Sequence, residues 1–228
     1  MSYLGGKSMR HLYCGNEIIG SIKTHNLIQL KLFYNMLYWE REEQIKTNEI
    51  NEGVMVELYT LKKILGRRYS ENEIEELIHS LPKEIELCGK LKGFISIYDY
   101  VVYNPSYKLL EYRFNHTFME YADINFMGFS ILELNEFARL RSRYSQRLYE
   151  LYKHYEKLSN YNMRVETLYK YFNIPDTTNI SEVARIGLNP AIKELDEKLG
   201  IKVRYDKTKK GNEITHLHFK FEPQKNAG

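Results

Sequence analysis

The chain has 228 residues, 43% hydrophobic and 28% charged, with a net charge of +3. That is enough for one large domain or two small ones with a proper core, and no apolar run reaches the roughly 18 residues of a membrane helix. Cys14 and Cys88, far apart and without a CxxC, make neither a zinc pattern nor a disulfide framework.

The opening stretch, MSYLGGKSMRHLYCGNE, lacks the apolar core of a secretory signal, so the expected compartment is the cytoplasm. Residues 1–20 hold glycines and polar residues without a sustained period and read as a flexible arm. From His25, NLIQLKLFYNMLYWERE repeats apolar residues at three-to-four spacing, which predicts an amphipathic helix. VMVELYT follows as a strand and LKKILGRR as a helical turn stopped at Gly66. Ser70 and Glu73 fit a capping box at the head of ENEIEELIHSL, which Pro82 closes. GFISIYDYVVYN, broken by Pro105-Ser106, and KLLEYRFN form a hairpin. Helix, strand, helix, helix, hairpin is the order of a winged helix.

A connector over 118–129 leads to LNEFARLRSRYSQRLYELYKHYEKL, read as one long helix, and then to RVETLYKYF, a shorter one. SEVARIGLNPAIKELDEKLG is helical, with Leu188, Ile192, Leu195 and Leu199 on one stripe. Asn189-Pro190 either starts a new helix there or sits inside one kinked helix. IKVRY, a turn at DKTKKGNE, and ITHLHFKF make a second hairpin. The second half therefore repeats the pattern of the first. The expected fold is α+β, with two tandem winged helices at 21–128 and 129–224 and a boundary near Gly128.

THLHFKF puts His216 and His218 on one face of a strand, since side chains alternate. A His-apolar-His strand is how rolling-circle nickases begin a metal site. The remainder of such a site is missing: no tyrosine follows Tyr205, and Glu213 and Glu222 are weak third ligands. No G-x-x-x-x-G-K-[ST] phosphate loop is present. The expectation is a protein without catalytic residues, metal or cofactor.

The charged residues suit duplex DNA, and equally a solvated surface or internal ion pairs. On the helix, Glu182, Arg185, Asn189 and Lys193 lie beside the apolar stripe. Arg suits guanine and Asn adenine in the major groove, and a carboxylate accepts from cytosine or orients an arginine. The same face also reads as an ordinary solvated one. The turn carries Lys207, Lys209 and Lys210, suited to phosphate, although hairpin lysines also guard exposed edges. Arg143 and Arg147 share a face of the long helix and suit backbone contact or ion pairing with Glu136 or Glu150. Lys62, Lys63, Arg67 and Arg68 sit beside ENEIEE, as a phosphate clamp or in internal pairs. In the first hairpin, Tyr98, Tyr100 and Val102 make one apolar side and Ile95, Ile97, Val101 and Tyr103 the other. A strand apolar on both faces is buried twice or covers a partner.

Leu188–Phe221 resembles the C-terminal signature of theta-type plasmid replication initiators, the Rep proteins of iteron plasmids: L-x-P-A-I-x-E-I, a V-x-Y strand, K-x-G in the turn, and T-H-I-x-F-x-F. Leu195 stands where Ile is usual. Arg141–Tyr155 resembles the family's S-K-Y-x-x-R-L-Y-E-L motif. The resemblance covers about Ser21 to Pro223. It implies an initiator without nickase activity that binds origin iterons as a monomer and an inverted operator repeat as a dimer. It also implies opening of AT-rich DNA and recruitment of a host helicase, helicase loader or host initiator. The second winged helix would read the major groove; the first would give backbone contacts and the dimer surface, which puts Tyr98, Tyr100 and Val102 at the interface. Family members often carry several basic residues before L-x-P-A-I; here Arg185 stands alone. The rival readings are a winged-helix transcription regulator and, further off, the metal-dependent nickase.

Overall fold

A computed structural model describes residues 10–15, 22, 27–47, 53–65, 69–87, 93–122 and 129–222. Most of the expected arm, Gly66, Arg67, Arg68, Cys88 and the connector's 123–128, with the expected boundary at Gly128, lie outside these residues.

The first half is built around α1 (Leu27–Thr47). The sequence predicts one apolar stripe, but α1 is buried on all sides over much of its length. Leu30, Leu32, Phe33, Tyr34, Met36 and Leu37 are interior, and so are Gln29, Lys31, Asn35 and Glu40. Two of these polar groups reach partners across the core: Gln29 Nε2 donates to the Ser80 carbonyl (2.6 Å) and Lys31 Nζ to that of Ala138 (2.7 Å). Most buried polar groups are hydrogen-bonded, so Gln29 and Lys31, which blur the helical period, are anchors.

Around α1 lie β2 (Val54–Glu57), α2 (Leu58–Leu65) and α3 (Glu71–His79). The capping box forms as expected: Ser70 N–H donates to Glu73 Oε2 (2.8 Å) and Glu73 N–H to Ser70 Oγ (3.3 Å). β3 (Glu84–Leu87) pairs with β4 (Gly93–Ser96), whereas β5 (Tyr98–Asn104) pairs with β6 (Leu109–Phe114), in a sheet ordered β2-β6-β5. The strand expected at Gly93–Asn104 is thus two, split where Ile97 turns fully into the core. Its N–H donates to Lys83 and its carbonyl accepts from Asn115. Asn115 then caps α4 (His116–Tyr121), which runs into the segment expected as a connector.

His11–Gly15 of the expected arm is a strand, β1, with Leu12 and Cys14 buried. It pairs antiparallel with β7 (Phe129–Glu133). The long helix expected from Leu134 is two helices, α5 (Leu134–Arg139) and α6 (Arg143–Tyr155). Leu140 is extended and buried between them, and Ser142 Oγ accepts from Ser145 N–H (2.9 Å) to start α6. Eight consecutive residues of α6, Ser145–Tyr152, are buried. It packs against β7, α7 (Val165–Phe172) and α9 (Asn189–Leu199), and its Arg147 reaches the Ile22 carbonyl, so it forms a joint that touches both halves.

The second half is also a winged helix. α7 is followed by α8 (Ile180–Val183), a π turn at Ala184–Leu188 and α9, in one continuous run. Asn189 N–H donates to Ala184 O, five residues back. A proline inside an α-helix lacks the N–H and its ring strikes a carbonyl of the preceding turn; the wide π turn ahead of Pro190 relieves both faults. Asn189-Pro190 therefore starts no separate helix. The wing is β9 (Lys202–Lys210) and β10 (Glu213–Glu222), joined by β8 (Asn160–Arg164) in the order β8-β10-β9. Leu217, Phe219 and Phe221 face the core.

Candidate nucleic-acid interface

The run from Ile180 to Leu199 buries Val183, Ala184, Gly187, Leu188, Ala191, Leu195 and Leu199. The complementary face carries all four residues expected to read bases. Arg185 keeps 74% of its side chain exposed, with Nη2 3.9 Å from Glu182 Oε1. Glu182 can hold Arg185 outstretched at little energetic cost, since exposed pairs are weak. Asn189 Oδ1 accepts from Tyr205 Oη (2.9 Å), and Lys193 Nζ lies 3.6 Å from Glu197. Arg185, Asn189 and Lys193, each four residues apart, form one outward column.

Lys207, Lys209 and Lys210 are all exposed toward the tip of the wing. Lys207 Nζ lies 5.9 Å from the Tyr205 ring centre. Tyr205 thus ties wing to helix, with its ring under Lys207 and its hydroxyl on Asn189. Sequence reasoning passed over Tyr205; its signal is the V-x-Y strand directly after the helix.

Strict alternation would put Ile214 on the outer face with His216 and His218, but a bulge between Ile214 and His216 turns it to the core side. His218 Nε2 is 2.6 Å from Thr208 Oγ1, and His216 Nδ1 is 3.0 Å from Thr215 Oγ1. Among the described residues no three His, Cys, Asp or Glu side chains gather as a metal site. Lys220 pairs with Asp206 (2.7 Å), and Arg204 with Glu222 (3.5 Å).

Two expected contacts are corrected. Arg147 is interior, 1% exposed, and cannot touch a DNA backbone in this fold. Its Nη1 donates to Glu150 Oε2 (2.8 Å), Nη2 donates to the Ile22 carbonyl, and the guanidinium lies over Tyr171. Burial pushes the Glu150 carboxyl up, with Arg147 pulling the other way. Tyr98 does not share a side with Tyr100 and Val102. The register shifts between Tyr98 and Tyr100, so Tyr98 faces Phe114 in the core and stacks on it at 5.0 Å. One extra residue on β5 reverses the alternation. Tyr100 and Val102 remain on the outer face of the sheet, in register with Arg113 and Glu111. Met55 extends that face from β2, opposite Glu111.

Arg143 begins α6 with its guanidinium 5.7 Å from the Tyr144 ring centre. Lys63 is exposed and Lys62 half-buried in the last turn of α2; Arg67 and Arg68 lie outside the described residues.

The two segments that carry the sequence resemblance meet at the joint. Ser145 Oγ donates to Glu194 Oε2 (2.5 Å), Arg141 N–H donates to Glu194 Oε1 (2.9 Å), and Lys198 Nζ also donates to Glu194. Burial would raise the Glu194 carboxyl; the bonds from Lys198, Ser145 and Arg141 outweigh it and hold the group below the usual glutamate range. The Tyr144 ring lies so close to Gly187 that any Cβ there would overlap it. These contacts fix the run Ile180–Leu199 on α6, and a glycine in mid-helix is the sequence signal of such close approach.

A family model described as Initiator Replication protein, WH1, matches residues 12–153, and another, Initiator Rep protein, WH2, matches 164–221. The fold is similar to the crystal structure of the Pi initiator protein in complex with iteron DNA, with a TM-score of 0.72 at 20% identity, covering 95% of this chain and 98% of that one. It is also similar to domains 2 and 3 of RctB, with a TM-score of 0.52 at 9% identity, covering 88% and 84%. No curated protein matches by sequence. The chain belongs to the initiator replication protein family, whose two winged helices, WH1 and WH2, both match it.

Proposed function

We propose that this initiator starts plasmid replication by binding iteron repeats in duplex origin DNA through its second winged helix. The observation that carries the reading is the outward column of Arg185, Asn189 and Lys193, coupled through Tyr205 to a lysine-tipped wing. A helix of this kind enters the major groove, and the wing lysines neutralise phosphates. The similar fold of the Pi initiator, crystallised on iteron DNA, supports it. In this reading the protein works in the cytoplasm by binding and deforming DNA, without catalysis, and helicase action comes from host proteins. No helix among the described residues is long and apolar enough to cross a membrane.

The first winged helix supplies backbone contacts through Lys62, Lys63 and their neighbours Arg67 and Arg68. It also supplies the dimer surface. Tyr100, Val102 and Met55 form a partly apolar sheet face, with Met55 68% and Val102 52% exposed. A two-fold dimer matches an inverted operator repeat, whereas a monomer suits direct repeats. Footprinting on DNA flanking the protein's own gene tests the reading. Protection of regularly spaced direct repeats is the expected result, and protection of a lone inverted repeat would favour a transcription regulator instead.

A further inference from the structure

The outward face of the reading helix contains an apolar spot that base reading by Arg185 and Asn189 leaves unused. Val183 and Ala184 are buried on one side of it in sequence, and Gly187 and Leu188 on the other. Arg185 and Ile186 between them point away from the core. Ile186 is 51% exposed, and Pro190, four residues on, is exposed beside it. The other exposed residues from Ser181 to Glu197 are charged or polar: Ser181, Glu182, Arg185, Asn189, Lys193, Asp196 and Glu197.

Single exposed aliphatic side chains are ordinary on protein surfaces. What sets Ile186 apart is its place. The Tyr144 ring against Gly187 holds this turn on α6, so its outward side chains are presented at a fixed position. Its sequence neighbour Arg185 leads the polar column. In the major groove the base edges offer donors, acceptors and one apolar group, the C5-methyl of thymine.

We infer that Ile186 reads the thymine methyl of a base pair beside the one read by Arg185, with Pro190 closing the contact from the next turn. The inference rests on the DNA-binding reading given above and adds a specificity determinant to it. Packing a branched aliphatic side chain against the methyl removes both from water, and a hydrogen-bonding side chain at this position would gain nothing from that group.

The test uses the full chain and its footprinted origin duplex, with each thymine replaced in turn by uracil, which removes only the methyl group. The parent protein should lose roughly three- to fivefold in affinity at one position or two adjacent ones, about the worth of one buried methyl group. Ile186→Ala should lose that dependence and keep the response to every other substitution, while Ile186→Val retains it. The inference is overturned if Ile186→Ala shows the same uracil profile as the parent, or if the parent has no uracil-sensitive position. A folded parent that binds no origin duplex would overturn the DNA-binding reading itself; insensitivity in a protein that binds removes only the role of Ile186.

Discussion

Glu194 of the reading helix accepts from Ser145 Oγ at 2.5 Å and from Arg141 N–H at 2.9 Å, so its carboxylate clasps the head of α6. These residues belong to the two segments that resemble initiator signatures. The signatures are therefore partly architectural, since they fix the helical run Ile180–Leu199 against α6. Glu194→Gln should cost about 1–3 kcal/mol of stability, the usual loss when a partly buried charged acceptor is removed from its donors. Urea unfolding measures this; a change within error would reject the clasp.

The same carboxylate predicts a pH dependence. Its folded pKa is held below the ordinary 4.5. A lowered carboxyl gives stability that is complete above its unfolded value and is lost as pH falls through the folded one. Thermal midpoints of the parent should fall below about pH 4.5 more steeply than those of Glu194→Gln, which has no proton to take up there. Parallel curves would remove Glu194 from the acid response.

Gly187→Ala brings a methyl into the Tyr144 ring. Overpacking of this kind costs about 1–3 kcal/mol. Because the ring sets the position of the reading turn, affinity for the specific site should fall more than affinity for unrelated duplex. The paired change Gly187→Ala with Tyr144→Leu should recover part of the stability. Equal losses on both DNAs would mean that the turn's position is immaterial to reading.

Arg147 and Glu150 give a different signature. Removing one member of a buried pair strands the other charge, at a cost of about 3–5 kcal/mol, whereas replacing both with apolar residues is often close to neutral. Arg147→Met should destabilise strongly, and Arg147→Met with Glu150→Leu should restore most of the loss. DNA affinity of the folded double variant should match the parent at every salt concentration. A reduced salt slope would return Arg147 to the DNA backbone.

How much of this was legible in the sequence depends on distance along the chain. The capping box at Ser70 and the hairpin wing are local patterns, and both form. The strand β1 was missed because its partner β7 lies more than a hundred residues away and the pairing leaves no periodic trace. Tyr98 was assigned to the wrong side because one bulged residue reverses every side chain beyond it. The Arg147–Glu150 pair is legible at its i,i+3 spacing and forms, but the burial that takes Arg147 away from a DNA backbone is not, because it depends on the Ile22 carbonyl and Tyr171, distant in the chain. The reading column was visible as an exposed helix face, but Tyr205 behind Asn189 was not.

The outer sheet face predicts a linked change in assembly and site preference. Val102→Asp or Tyr100→Asp puts a charge on the proposed dimer surface and should shift dimer to monomer without unfolding. Tyr100 Oη donates to Glu111 (3.0 Å), so its variant also loses an internal bond, and Val102→Asp is the cleaner test. The monomerised protein should bind a single direct repeat more tightly and an inverted repeat more weakly, in gel shifts at matched salt. An unchanged sedimentation profile would reject the surface.

In the proposed binding mode the second winged helix reads bases with Arg185 while the wing holds phosphate. This mode is tested most directly by measuring equilibrium affinities of the parent, Arg185→Ala and Lys209→Ala for the footprinted repeat and each of its single-base variants, across a salt series. Arg185→Ala should lose about 1–3 kcal/mol on the native repeat and become indifferent to the base at one position. Lys209→Ala should weaken all duplexes alike and lower the salt slope by about one. Uniform weakening by Arg185→Ala across every variant, with base preference intact, would contradict this mode.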